Sequence, residues 1–489
     1  MKIFATTDFC FSPIFPITGG KNSRKQFIYG AWMGMENFYY GLLKYGNFDE
    51  YCFFVAPNLD TDYFKKNILH LDIDLGRVRI INIKDLASCL RKIKYTVFFT
   101  VGINLSQLAY LRSKYTKEYF PICGIAFETI SYPGVLRQAI FNNLVSDLQP
   151  FDSIICASSA VNSAIRNLNK LISSSCQKQR GFKLRYNGRL DYLPLGINAA
   201  DYGKIGKLEA REKLGLPQDK IIILYFGRFS LYDKADLYPL LLAFKEILAE
   251  RRNVLLLLAG TDAQEKYGSK LQKITQELGL TGKVKFILHN CLREKYTLYS
   301  ASDIFISPSD SIQESFGITV LEAMASGLPV IGSDWNGYKD LIVHNETGLC
   351  IPTYWADCNI EDTPSFYSPF DFWQRDHLYL AQSVCVDVKK MIEYLSILVK
   401  NKELRLKFGQ NARHRVLEKY DWSIVMPAYE NLWQGLSQLS SGHKVKRNQK
   451  GLFTPKYLDC FRHYPTRILD NKSRIAIDKN GLEFLKARK

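Results

Sequence analysis

Two carboxylates stand eight residues apart in the stretch Glu314 to Val330, ESFGITVLEAMASGLPV. Thr319 through Ser326 are good helix formers, Gly327 sits where a helix usually stops, and Pro329 blocks continuation. Glu314 then lies in the loop before a short helix, and Glu322 about one turn inside it. Between them the N–H groups of Phe316, Gly317 and Ile318 fall at the positive end of the helix dipole, without intrahelical partners. This is an anion site flanked by hydroxyl-binding carboxylates. A ligand with phosphate in the middle and polyhydroxylated groups at both ends suits it.

Two further clusters could act on such a ligand. In YFGRFSLYDKADL, Gly227 allows a turn and Arg228 and Lys234 project past a strand end. Two cations six residues apart across a loop can converge on one diphosphate as it leaves. Gly19 and Gly20, in FPITGGKNSRKQF, allow close backbone approach to a ligand before the first helix. Taken alone, the first cluster is more often a pair of surface cations and the second an ordinary flexible loop. Asp72-Ile73-Asp74 imitates a metal-binding D-x-D but sits in a loop before a strand.

The elements that must position these residues alternate between strand and helix. Apolar runs at KIFATT, YCFFVAP, VRIINI, YTVFFTV, PICGIAF and DSIICAS read as buried parallel strands, with helix-period segments such as Phe27 to Tyr45 and Leu136 to Leu148 between them. LPLGIN at 193–198 reads as a last strand and turn. The pattern restarts with IIILYFG, VLLLLAG, VKFIL, DIFISPS, PVIGSD and GLCIP. Two doubly wound α/β domains facing each other are predicted, with the ligand at the carboxyl ends of the strands, in the cleft. The predicted boundaries are 1–198, 199–421 with an inserted loop at 353–377, a helix at 422–440 crossing back to the first domain, and a basic tail at 441–489. A single helix is predicted from about Leu378 to Val399.

At 489 residues the chain exceeds one core, and nothing approaches eighteen uninterrupted apolar residues. MKIFATTD reads as a buried strand and not as a secretory signal. The eleven cysteines lack C-x-x-C pairs, which predicts free core thiols in a reducing compartment. A cytosolic protein is expected. The net charge of +17 is uneven: residues 1–200 hold 24 Lys+Arg against 14 Asp+Glu, and residues 441–489 hold 13 against 4. Arg166 to Leu190 contains seven basic residues and no acid. Such a segment, Arg166–Arg189, suits the anionic inner face of a membrane, at roughly 1 kcal/mol per residue. Nucleic acid is ranked below it, since no recognised nucleic-acid module is present.

The joint order of GG after strand one, GRF-x4-K after the mid-chain strand, then ESFGITVLEAMASGLPVI, resembles the family 4 glycosyltransferases of GT-B fold. SDWNGYKDLIVHNETGLCIP, LPLGIN and ARHRVLEKYDWSIVMPAYENLW add to it. The resemblance is strongest over 190–435, weaker over 1–190, and absent from 353–377 and the tail. It implies a retaining, metal-independent transferase that takes a nucleotide-diphosphate sugar as substrate, needs no cofactor, and acts on a glycan or lipid-linked acceptor. Arg228 and Lys234 would hold the diphosphate and Glu314 the sugar hydroxyls. Phe316, Gly317, Ile318 and Thr319 would face phosphate and sugar, Glu322 the ribose, and Gly19 and Gly20 the donor from the other domain. Family members usually carry a histidine where this chain has GIAFETISYP, so Glu128 is the polar candidate in its place beside Phe127. The alternatives are a non-catalytic nucleotide-sugar binder and, disfavoured by GRF-x4-K with E-x7-E, a GT-B epimerase or phosphorylase.

Overall fold

In the computed structural model of the chain, residues 1–7, 30–56, 74–126, 133–262, 266–288, 294–358 and 373–445 are described, with scattered positions from 460 onward. No side chain is described at 30–33, 133–137 or 373–375. The chain divides into two compact units, Met1–Arg447 and Asn448–Lys489.

The first unit opens with β1 (Ile3–Thr6), α1 (Gly30–Tyr45), β2 (Glu50–Val55), β3 (Val78–Asn82), α2 (Leu86–Lys92), β4 (Val97–Val101) and α3 (Ser106–Tyr115). It continues with β5 (Ile122–Ala126), α4 (Pro133–Leu144), β6 (Ser153–Cys156), α5 (Ser159–Arg180) and β7 (Arg189–Tyr192). These seven strands form one parallel sheet in the order β3-β2-β1-β4-β5-β6-β7. Its central strands are mostly apolar because both faces are covered; β1, β5 and β6 are buried at every position.

A second parallel sheet comes next, of β8 (Ile221–Phe226), β9 (Val254–Ala259), β10 (Val284–Ile287), β11 (Ile304–Ser307), β12 (Val330–Ser333) and β13 (Gly348–Ile351), in the order β10-β9-β8-β11-β12-β13. Its helices are α6 (Lys207–Lys213), α7 (Tyr238–Glu250), α8 (Tyr267–Glu277), α9 (Lys295–Ala301), α10 (Ile318–Ala325) and α11 (Tyr338–Leu341). The strand order reverses between β8 and β11. A crevice therefore opens at the carboxyl ends of those two strands.

The unit closes with β14 (Thr353–Trp355), α12 (Trp373–Gln382), β15 (Val384–Val386), α13 (Val388–Lys400), α14 (Lys402–Lys419) and α15 (Trp422–Ser440). Helix α15 returns to the first sheet: Trp433 packs against Phe4 with ring centroids 5.5 Å apart and against Phe99 at 6.0 Å.

Four sequence expectations are corrected. The last strand of the first sheet is Arg189–Tyr192, not LPLGIN; the polar RLDY pairs in parallel with β6 as an edge strand, and Ile197 makes only an isolated bridge to Asp421. The helix expected over Leu378–Val399 is two helices. Val384–Val386 pairs antiparallel with Thr353–Trp355, and Asp387 caps a fresh helix by accepting from Lys390 N. The insertion, expected as an unpatterned loop, thus contributes a strand and a helix at its ends; residues 359–372 lie outside the described residues. The helix predicted over Leu136–Leu148 starts earlier and ends at Leu144, with Pro133 at its first position, where no N–H partner is needed.

The nine described cysteines are all free thiols. Burial pushes those of Cys52 and Cys156 up to about 12.

Candidate active site

The loop leaving β8 carries Arg228 and Lys234, and the loop leaving β11 carries Glu314. Arg228 Nη2 donates to Asp233 Oδ2 at 2.7 Å, and Ser230 Oγ donates to Asp233 Oδ1 at 2.8 Å, so this loop holds its own guanidinium in place. Lys234 Nζ crosses to the neighbouring loop and donates to Glu314 Oε2 at 3.2 Å. Ser309 Oγ donates to the Lys234 carbonyl at 2.8 Å, a second tie between the two loops. The two cations therefore reach one end of the crevice, each already facing a carboxylate. That prevents them from collapsing elsewhere and keeps their charge aimed at the strand ends.

Glu314 is 7% exposed. The buried Tyr338 hydroxyl donates to its Oε2 at 3.3 Å and lies 2.7 Å from Ser307 Oγ. Burial, with Glu314 second, pushes the Tyr338 phenol well above its ordinary range, so it stays a donor. The same ring sets the turn that opens α10. Gly317 has φ 106°, and a Cβ there would stand 2.5 Å from Tyr338 Cε1, so only glycine fits both the conformation and the space. Among the described residues the N–H groups of Phe316, Gly317 and Ile318 donate to nothing. Helix α10 runs Ile318–Ala325, one residue earlier than expected, with Thr319 in its first turn.

Glu322, one turn into α10, is 5% exposed and receives three donors. Tyr202 OH and Lys295 Nζ reach Oε1, each at 2.8 Å, and Tyr299 OH reaches Oε2 at 2.9 Å. Burial and then Glu322 push both phenols well above their ordinary range. Burial works against the Lys295 ammonium, yet Glu322 and Tyr296 outweigh it and its pKa is raised. Lys295 also lies over the Tyr296 ring at 5.0 Å and the Tyr202 ring at 5.8 Å.

Of the sequence candidates, the structure brings Arg228, Lys234, Glu314, Phe316, Gly317, Ile318, Thr319 and Glu322 to the β8–β11 crevice. Gly19, Gly20, Phe127 and Glu128 lie outside the described residues. Of Asp72 and Asp74 only the second is described: its side chain caps a short turn by accepting from Gly76 N. Among the described residues no group of three or more His, Cys, Asp or Glu is gathered as a metal site.

Sequence reasoning missed several contributors. Tyr202, Lys295 and Tyr299 had no local signal, because their convergence on Glu322 joins segments 23 to 120 positions away in sequence. His377, from the insertion, is 1% exposed and its Nδ1 lies 2.9 Å from Gln313 Nε2, next to Glu314. Burial depresses its imidazole to about 4, against the pull of Asp233 and Asp376, so it is neutral at ordinary pH. Glu36 on α1 is a half-buried carboxyl that burial raises to about 7, with Lys295 opposing.

Residues 206–361 match the family model described as glycosyl transferases group 1. An uncharacterized glycosyltransferase of Methanocaldococcus jannaschii is 34% identical over 145 residues, 30% of this chain and 35% of that protein. The D-inositol 3-phosphate glycosyltransferase of Nocardia farcinica is 28% identical over 208 residues, 40% of this chain and 44% of that protein. This chain thus spans less than half the length of those relatives. Sucrose-phosphate synthase from Thermosynechococcus elongatus superposes with TM-score 0.57 at 17% identity, covering 90% of this chain and 100% of that one. HepE of Anabaena, solved with UDP and glucose, gives 0.55 at 13% identity, covering 89% and 100%. The fold is GT-B, and the segment that carries Arg228, Lys234, Glu314 and Glu322 is the one that matches the glycosyl transferases group 1.

Proposed function

We propose that this chain transfers a sugar from a nucleotide-diphosphate sugar to an acceptor hydroxyl, with retention at the anomeric carbon and without a metal. The observation that carries this reading is the Lys234–Glu314 pair across the two loops, 3.2 Å apart, beside the open N–H groups of Phe316, Gly317 and Ile318. A diphosphate at the amides would take Lys234 and Arg228 as its cations. Glu314 would be released to accept hydrogen bonds from the sugar. Glu322 would take the ribose. HepE was solved with UDP-glucose, which supports a donor of this class for a GT-B crevice.

In the proposed reaction the bond from the anomeric carbon to the diphosphate oxygen breaks and a bond to the acceptor oxygen forms on the same face. The acceptor's proton passes to the leaving diphosphate. Arg228 and Lys234 stabilise the charge that builds there, as a metal would elsewhere. The acceptor is proposed to be a glycan or a lipid-linked intermediate. The exposed end of α5 and the segment after it support a membrane-side location. Lys170, Lys178, Arg180, Lys183 and Arg185 are exposed there with no acid partner among the described residues, beside Leu171 and Phe182, which are 59% and 47% exposed.

The test is donor hydrolysis over common nucleotide sugars, wild type beside Lys234→Ala and Glu314→Gln. Lys234→Ala should lose about two or more orders of magnitude in turnover. Near-normal turnover in that variant would sink the assignment. A non-catalytic binder would instead hold a nucleotide sugar and release no nucleotide with any acceptor.

A further inference from the structure

The ribose reading of Glu322, on which this inference rests, places a demand on the lone pairs of its carboxylate. Each carboxylate oxygen offers about two lone-pair positions. On Oε1 both are filled, by Tyr202 and Lys295, whereas Oε2 holds only Tyr299. A vicinal diol binding a carboxylate side-on needs one position on each oxygen, so one donor on Oε1 must leave. Tyr202 cannot leave cheaply. It is 4% exposed, and its ring packs against Tyr296 at 5.0 Å and Tyr299 at 6.2 Å. Lys295 can, since its ammonium rides on a four-carbon stem and its side chain is 16% exposed.

An ammonium displaced in a half-buried cleft needs another anion. Asp201 is already engaged, by Asn198 Nδ2 at 2.9 Å and Lys204 Nζ at 3.1 Å. Glu36, on α1 of the first domain, accepts no hydrogen bond from any described group, and among the described residues the charge that acts on it is that of Lys295. Its neighbour Asn37 bonds to Gly196 O at 2.9 Å and to Trp422 Nε1 at 3.1 Å, which anchors this turn of α1 where the two domains join.

We propose that Lys295 and the donor ribose compete for one lone pair of Glu322, and that Glu36 of the facing domain receives the ammonium when the ribose takes it. Lys295 is then a positioning residue. It fills Glu322 until a diol arrives and afterwards ties the donor domain to α1 over the bound nucleotide. A nucleotide without the diol gains no such tie, so the exchange makes ribose recognition and domain contact a single event.

The experiment is calorimetric binding of UDP, GDP and ADP to the full chain, as wild type, Glu36→Gln, Lys295→Met and the double variant, with Lys234→Ala as reference. With the nucleotide that binds wild type, Glu36→Gln should weaken Kd about tenfold, and the same change in the Lys295→Met background should do nothing. The 2′,3′-dideoxy form should show no Glu36 effect in either background. Equal effects of Glu36→Gln with and without Lys295, or none at all, would overturn the inference while leaving the donor site standing. Failure of wild type to bind all three nucleotides, or Lys234→Ala binding like wild type, would remove the parent reading and the inference with it. Carbodiimide coupling read by mass spectrometry gives an independent check. The Lys295 amide should form with Glu322 before nucleotide is added and with Glu36 after, and an unchanged Glu322 product would refute the exchange.

Discussion

The indole of Trp422 donates its Nε1–H to Asn37 Oδ1 at 3.1 Å, joining the first turn of α15 to α1. The ring lies between two glycines. A Cβ on Gly41 would stand 2.4 Å from Trp422 Cδ2, and one on Gly196 would stand 2.6 Å from the same atom. The 2.9 Å bond from Asn37 Nδ2 to Gly196 O completes the join. The segment that leaves the first sheet, the first helix and the returning helix therefore share one packed point.

A side chain at either glycine has to push the indole aside. Gly196→Ala is expected to destabilise the fold by about 1–3 kcal/mol, the usual cost of overpacking a close contact. Urea unfolding should show a lower midpoint. A midpoint equal to wild type would mean that Trp422 is not confined as described.

Arg112 and Asp152 form a two-pronged pair in the first domain, Nη1 to Oδ1 at 2.6 Å and Nη2 to Oδ2 at 2.8 Å, with both side chains fully buried. Removing one partner leaves a buried charge uncompensated. Arg112→Ala is expected to cost about 3–5 kcal/mol. Because the pair joins α3 to the residue that leads into β6, the loss should appear in overall unfolding and not as a selective loss of donor binding.

Glu36 supplies a pH signature. Burial, opposed by Lys295, raises its carboxyl from 4.5 to about 7. Between those values the folded chain holds a proton that the unfolded chain has released, so this group makes stability fall as pH rises through the window. Below it the group is neutral in both states and costs nothing. Glu36→Gln should therefore raise Tm relative to wild type at about pH 8 and leave it unchanged at about pH 4. The same gain at both values would count against the assignment.

The basic face at the end of α5 is open to a direct test. Reversing charge at Lys170, Lys178, Arg180, Lys183 and Arg185 should abolish sedimentation with phosphatidylserine vesicles and leave donor hydrolysis unaffected. Those five cations have no acid partner among the described residues to hold the fold together. Unchanged partitioning would remove the membrane reading and leave the donor site intact.

Much of this arrangement is local in origin, and local patterns are legible. The continuous apolar runs at Ile221–Phe226 and Val254–Ala259 read as strands covered on both faces, and their alternation with helical segments points to two parallel sheets. Gly317, Glu322, Gly327 and Pro329 place the short helix and its unpaired N–H groups within one residue, because capping depends on immediate neighbours. Where a segment's state depends on a distant partner, the sequence is silent or misleading. Val384–Val386 reads as helix until Thr353–Trp355 offers it a pairing edge, and LPLGIN reads as strand although its backbone turns to meet Asp421. The carboxylate pair and the two cations stand out as candidates because each sits at a strand end or helix start, and their joint order, not the spacing of either pair alone, is what singles them out. Their actual partners could not. Lys234 finds Glu314, and Glu322 gathers Tyr202, Lys295 and Tyr299, only once the strands bring remote loops to the same edge, so that pairing belongs to the tertiary structure.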